Sequence, residues 1–383
     1  MENTSGFTKA VQQKNRVSLY IGEKIYSGWT EVKIEFGLNI IARVCQITAS
    51  SSPEDEMYDG IPNGVSCRVK IGDDTVITGY VTKKEKLYGK EGTTISIDIK
   101  SRTIDLEECS VPPNAQHSFR KVKLASVIES LAGNYGILVV DQVGSKEIID
   151  QEIQNNETIK SVLEKLLKNR SLLLLDDSYG KLLLTFAGSA GFSADSLQYG
   201  KNIITGKRTQ DLSKIFRYYV VRGQGTDSKS QRKTPGNQLQ KIAENDWCFR
   251  NRYFVTVMTG NATEPELEKR VNLLKNNSIG SADTFTYSVQ GWRQSNGELW
   301  RANTFVKIKD ESLNTNETLL ISKVTFSLSE TGGSTTTLEI RHPASFISTG
   351  LPDTASSTAK KTVKDDQSKN SLVILAGKDT GKR

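Results

Sequence analysis

Acid–base or nucleophilic chemistry needs a histidine, carboxylate or thiol held beside a partner, and this chain offers few candidates. Its two histidines, His117 and His342, stand far apart, each beside turn-forming residues rather than in a ligand cluster, and both read as structural. Adjacent carboxylates at Asp73/Asp74, Glu107/Glu108 and Asp176/Asp177 could flank a glycosidic bond. Neighbours on a strand point to opposite faces, however, and these pairs fall at expected turns, so solvated turns are the preferred reading. The four cysteines, Cys45, Cys67, Cys109 and Cys248, show no C-x-x-C spacing and are expected to be buried free thiols. TFAGSAGF (Thr185–Phe192), GQG (Gly223–Gly225) and the terminal GKDTGKR lack the spacing of phosphate or dinucleotide loops. No G-x-S-x-G elbow is present. No catalytic residue, metal ligand or cofactor site is therefore assigned, and the chain reads as a non-enzyme.

Arginine and aromatic residues gather at RYYV (Arg217–Val220), FRNRYF (Phe249–Phe254) and GWR (Gly291–Arg293). Such groups stack bases on some β surfaces, but they also pack strands and interfaces. No basic stripe accompanies them, so packing is preferred. The net charge of +7 and the pI near 9.0 arise from intermixed charges, with a disproportionate share of the excess beyond Leu351. No apolar run approaches the roughly 20 residues of a membrane-spanning helix. The polar N-terminal segment has no apolar signal-peptide core, so folding in the cytoplasm is expected.

The elements that would position any site are mostly strands. At 383 residues, about two to four domains are expected. One local pattern is written twice. Its first copy is VKIGDD (Val69–Asp74), TVITGYVT (Thr75–Thr82), a turn with Gly89 and Gly92, and TTISIDIK (Thr93–Lys100). Its second is VKIKDE (Val306–Glu311), TLLISKVTFSLS (Thr318–Ser329), a turn at Gly332 and Gly333, and TTTLEIR (Thr335–Arg341). Val32, Ile34 and Phe36 alternate with Lys33 and Glu35, the period of a half-buried strand.

The period changes between the copies. Leu124, Val127, Ile128 and Leu131 mark a helix closed by Gly133 and Asn134 in a left-handed cap. Ile159, Val162, Leu163, Leu166 and Leu167 mark a second, with Asn155 or Asn156 as cap and Lys168 and Arg170 near its negative end. A third runs over Thr263–Asn276, with Thr263 as N-cap, Pro265 in the first turn and Glu266 at the capping-box position. The expected fold is α+β, mainly β: two similar antiparallel β-barrel domains with two smaller α+β domains. The first barrel spans residues 1–107, an α+β domain with two helices 108–195, the second barrel 196–236 and 284–347, an α+β insertion 237–283, and a polar tail 348–383.

Several segments, taken in order, resemble the baseplate hub proteins of Mu-like contractile-tailed phages, also described as 43 kDa tail proteins. They are SGWTEVKIEF (Ser27–Phe36), Thr78–Ser110 with its R-T-x-D-L-x-x-C-S run, Gly200–Gly225, Gly297–Asp310 and Leu319–Ile340. Ser101 departs from the resemblance, standing where the family more often has glycine. The resemblance implies a structural, non-enzymatic virion protein: a homotrimer whose six barrels form a pseudo-sixfold ring around a genome channel. It implies as partners the tail tube protein, the central spike, other baseplate proteins and the tape measure protein, with DNA present in transit alone. Kinship with type VI secretion spike proteins is implied as well. A nucleic-acid-binding β-barrel and, behind it, a cell-wall glycosidase are the rival readings. Within the tail, Leu372, Val373, Ile374 and Leu375 are expected to add as a strand to a partner.

Overall fold

The computed structural model describes residues 14–51, 57–90, 92–154, 157–167, 170, 172–225 and 238–346. The first repeat supplies β1 (Val17–Ile21), β2 (Lys24–Tyr26), β3 (Glu31–Gly37), β4 (Val44–Ser51), a short helix α1 (Met57–Gly60), β5 (Ser66–Ile71), β6 (Asp74–Gly89) and β7 (Gly92–Ser101). Next come α2 (Ile104–Glu108), β8 (Ser118–Lys123), α3 (Leu124–Gly133), β9 (Val139–Asp141), β10 (Ile148–Glu152), α4 (Ile159–Leu167), β11 (Leu173–Asp176) and β12 (Leu182–Thr185). The chain continues through β13 (Leu197–Gln198), β14 (Ile203–Gln210), β15 (Tyr218–Gly225), β16 (Gln238–Glu244), β17 (Tyr253–Ala262) and α5 (Glu264–Ala282). It ends with β18 (Asp283–Gln290), β19 (Phe305–Asp310), β20 (Thr315–Ser329) and β21 (Gly333–Arg341).

The expectation of two separate β-barrels is overturned. Both repeats lie in one 13-stranded sheet, ordered β14-β18-β21-β20-β3-β4-β7-β6-β5-β1-β2, with β19 paired to β20 and β13. Among the described residues no pairing joins β2 to β3, or β14 to β13 or β19, so neither repeat closes on itself. The repeats meet where β3 pairs antiparallel with the second half of β20, from Lys323 opposite Gly37 to Leu328 opposite Val32. Their buried side chains form one continuous core that includes Ile34, Ile47, Ile97, Tyr287, Phe326 and Leu338. Period-two alternation reports which face of a strand is buried and is silent on which edge pairs with which, hence the wrong closure.

The helical stripes are placed as expected. Leu124, Val127, Ile128 and Leu131 of α3, and Ile159, Val162, Leu163 and Leu166 of α4, are all buried in a second core. They cover the sheet β11-β12-β9 and the antiparallel pair of β8 and β10. Asn134 is right-handed at φ −58, so the expected left-handed cap is not there; Gly136, at φ 67, makes the turn instead. The suggested caps Asn155 and Asn156, and Lys168, lie outside the described residues. A third core lies between α5 and the sheet β16-β15-β17. Glu266 accepts from the Thr263 backbone N–H at 2.7 Å, the expected capping contact. The helix runs beyond Asn276 to Ala282 because Ile279 and Ala282 pack with Ile215 and Cys248, outweighing weak local propensity.

One ion pair fastens the first repeat to the α+β domain. Arg43 donates from its backbone N–H and Nε to the two carboxylate oxygens of Asp176, each at 3.0 Å, while its ring of contacts includes the Phe36 face at 4.7 Å. The Ser101 hydroxyl also accepts from the Arg43 N–H at 3.2 Å, a use for a side chain that glycine would not have. Burial pushes the Asp176 carboxyl up, against the pull of Arg43 and Ser101.

Asp176→Ala leaves Arg43 with an unpaired charge in a largely buried site and is expected to lower stability by about 3–5 kcal/mol in urea unfolding. His342 accepts from the Ala344 N–H through Nδ1 at 3.1 Å, and burial lowers its pKa, an effect larger than the opposing fields of Glu317 and Asp283. The unfolded chain therefore takes up a proton more readily than the folded one. His342 contributes stability that is complete above roughly pH 6.5 and is lost as pH falls below it. His342→Asn should flatten this part of the urea midpoint against pH.

Candidate assembly interface

The seam between the repeats has two unlike faces. On one, Val32, Ile34 and Phe36 lie opposite Leu328, Phe326 and Val324. The Phe36 and Phe326 rings meet edge to face at 5.5 Å, and Trp292 lies 6.1 Å from Phe326. The Trp292 indole donates to the carbonyls of Ser327 and Thr335 at 3.0 and 3.1 Å, which satisfies its polar atom within the core. On the other face, Glu35 accepts two ammonium groups, Lys33 at 3.1 Å and Lys323 at 3.3 Å, with the Thr325 hydroxyl at 3.4 Å. Partial burial raises the Glu35 pKa, but the two lysines outweigh it and hold the carboxyl below its usual range.

The two repeats match element by element. Both long strands carry a bulge at the same place, between Val81 and Lys83 in β6 and between Ile321 and Lys323 in β20. Gly64 at φ 68 and Asn303 at φ 66 occupy the same left-handed position. Gly64 donates to the Val81 carbonyl as Asn303 does to that of Ile321, and Val81 donates to Val65 as Ile321 does to Thr304. Ser66 faces Tyr80 and Phe305 faces Leu320, which sets Cys67 on Val306 and Val69 on Ile308. The two VKI triplets of the sequence pattern are thus offset by two residues in the structure.

Several strands have one edge without a neighbour among the described residues, and two of these edges flank the repeats. β14 pairs with β18 alone, and β6 beyond Val81 pairs with β7 alone. The second carries Leu87 and Tyr88, 70% and 84% exposed, and Ile204 on β14 is 52% exposed. Lysines at 83, 84, 86 and 207 accompany them, the device by which soluble proteins keep such edges from pairing indiscriminately.

The chemical candidates are scattered or already engaged. His117 Nε2 lies 3.0 Å from the Pro112 carbonyl oxygen, and His342 holds its own turn. Asp74 pairs with Arg293 at 2.6 Å, Glu107 with Lys160, Glu108 with Lys100 at 2.9 Å, and Asp176 with Arg43. Asp177 fits the turn reading, accepting from the backbones of Tyr179 and Lys181 at 2.8 Å; Asp176 beside it does not. Trp292 and Tyr219 are buried, and Arg293 is spread over Asn15, Asp74, Gly297, Lys14 and Ile71. Phe249 and Tyr253 remain exposed. Cys45, Cys67 and Cys248 are buried and Cys109 is half-buried; burial pushes the Cys67 thiol up to about 12. Among the described residues no group of His, Cys, Asp or Glu could hold a metal ion, and no helix is long and apolar enough to cross a membrane. Leu372, Val373, Ile374 and Leu375 lie outside the described residues. Sequence reading missed the seam and the open edges, although the lysine-rich run KKEKLY (Lys83–Tyr88) has the composition of an edge strand.

Known proteins match the chain over most of its length. Residues 16–101 match the family described as Mu phage baseplate assembly protein GpP-like, N-terminal; residues 103–186 match baseplate hub protein gp44-like, second domain; residues 263–349 match Mu phage baseplate assembly protein GpP, fourth domain. The baseplate hub protein gp44 of Escherichia phage Mu is 23% identical over 346 residues, covering 87% of this chain and 89% of its own. The 43 kDa tail protein of prophage MuSo2 from Shewanella oneidensis superposes with a TM-score of 0.74 at 26% identity, covering 86% of this chain and 99% of its own. A tail protein from Neisseria meningitidis MC58 gives the same TM-score of 0.74 at 19% identity over 85% and 96%.

Phe326 joins both repeats, so Phe326→Ala is expected to cost about 3–5 kcal/mol, read as a lower denaturant midpoint for the whole sheet in one transition.

Proposed function

The chain belongs to the Mu-like phage baseplate hub family, a structural and non-enzymatic component of the virion's tail, and from that premise we propose that three copies form a ring. The single observation that carries this reading is the seam: two matched repeats joined edge to edge, with a further edge free on each side. A contact between unlike edges is heterologous, and repeated from chain to chain it must close or run on as a fibre. Closure after three chains presents six similar units on one face and a threefold axis at the centre.

Such a ring adapts a sixfold tail tube to a threefold central spike and surrounds the channel through which the genome passes. The tube protein, the spike, neighbouring baseplate proteins and the tape measure protein are its partners in this reading, with assembly in the host cytoplasm. DNA is a passenger. Three of the arginines that suggested base stacking are committed elsewhere, Arg293 to the first repeat, Arg252 to the carbonyls of Ile215 and Ser213, and Arg217 to Glu244 at 2.7 Å. Of the carboxylates that suggested a glycosidase, Asp74, Glu107, Glu108 and Asp176 are likewise tied into ion pairs, and Asp177 holds its own turn.

Light scattering on the purified protein should give about three times the 42.4 kDa chain mass at assembly concentrations. A mass near one chain across every concentration and salt condition would overturn the ring.

A further inference from the structure

The repeat predicts how one chain meets the next, residue by residue. Pairing registers set Cys45 on Phe285, since these face the equivalent residues Ile99 and Ile340. In turn Ile34, opposite Cys45, is matched by Arg208, opposite Phe285. Lys33 is then matched by Lys207 and Glu35 by Thr209. Along the long strands, the shared bulge sets Lys83 on Lys323, Glu85 on Thr325 and Tyr88 on Leu328. β14 is therefore the counterpart of β3, and residues 83–88 are the counterpart of the stretch of β20 that β3 covers. Both counterparts are open edges.

We propose that β14 of one chain adds antiparallel to residues 83–88 of β6 in a second copy of this chain, with Thr209 opposite Glu85 and Lys207 opposite Leu87. This rests on the ring reading above, which supplies the closure; the register is the new content. The side chains favour it. Inside the chain, one face of the seam gathers Lys33, Lys323, Glu35 and Thr325. Across chains, the same four positions hold Lys207, Lys83, Thr209 and Glu85. Both lysines are kept, and the glutamate and threonine exchange strands. Lys83 and Glu85 already pair at 2.9 Å, so β14 need add a single lysine and a threonine hydroxyl. Asp211, one position beyond Gln210, falls opposite Lys83, and its backbone N–H still donates to Ala282 at 2.8 Å.

The other face is more polar than its internal model, which fits an edge that must stay soluble before assembly. Gly206 falls opposite Tyr88, which is exposed in the single chain. Arg208 falls opposite Lys86, where the internal seam has Ile34 against Phe326, and that like-charge pair is unfavourable. Arg208 brings its own counter-ion, holding both oxygens of Asp283 at 3.0 and 2.6 Å. The chain-to-chain seam is accordingly weaker than the one inside each chain.

The test is a double variant of the full chain, Thr209→Cys with Glu85→Cys, on a Cys109→Ser background that removes the half-buried native thiol. Directly opposed strand residues bring Cβ atoms within disulfide reach, whereas a pair displaced by two residues does not. Oxidation should give covalent dimers and closed trimers on a non-reducing gel. The displaced pair Thr209→Cys with Leu87→Cys should cross-link on the order of tenfold less. Circular dichroism of the reduced proteins checks the fold, both sites being exposed. Trimers by light scattering without the Thr209–Glu85 cross-link, or with the displaced pair favoured, would overturn the register and leave the ring standing. A single-chain mass with no cross-link would overturn the ring and this interface together. The exchange Thr209→Glu with Glu85→Thr, which copies the internal arrangement, should retain the trimer; its loss would also count against the register.

Discussion

Everything in this chain depends on the pairing of β3 with the second half of β20. β20 is 15 residues long, and its bulge after Ile321 lets it leave β19 and take β3 on the same edge. Without that switch the repeats would be two small sheets, each with its own thin core. With it they share one. Full burial of a large apolar side chain is worth roughly 1.5–3 kcal/mol, and the seam places several, Ile34, Phe326 and Val324 among them, in the shared core. The hydroxyl and ammonium contacts to Glu35 add little energy at a partly exposed site, but they restrict the register, because a slip of one residue would turn the lysines into the core.

The remaining parts hang from this sheet. Arg43 and Asp176 lock the first repeat to the helical domain, and Arg293 ties the loop after β18 to the turn between β5 and β6. These contacts cross between units distant in sequence and fix their relative placement. The third core, under β15, β16 and β17, is small and borders an exposed apolar face that includes Ile242, Tyr253, Val255 and Val257. Partly buried, many-bonded arginines hold such units together more directly than exposed surface pairs do.

Much of the local structure was legible in the residues. Alternation marked Val32, Ile34 and Phe36 as one face, stripes at helical spacing marked α3 and α4, and Thr263 with Glu266 marked the start of α5. What was not legible depends on contacts distant in sequence. The two VKI triplets invite superposition, yet they are offset by two residues, a shift that alternation cannot detect because it preserves the faces. Asp176 looks like its neighbour Asp177 in a turn, and its burial against Arg43 follows from packing alone. Barrel closure was expected from strand content, while the edge of β20 was already committed to β3. The candidate interface was visible as a lysine-rich run, but nothing in composition identifies what pairs with it.

The most direct measurement of the central claim is electron microscopy of the purified assembly viewed down its axis. The account predicts rings with a central opening, whose rotational spectrum shows a dominant threefold component and a strong sixfold one from the two matched repeats. Particles without an opening, or open filaments of unlimited length, would contradict it.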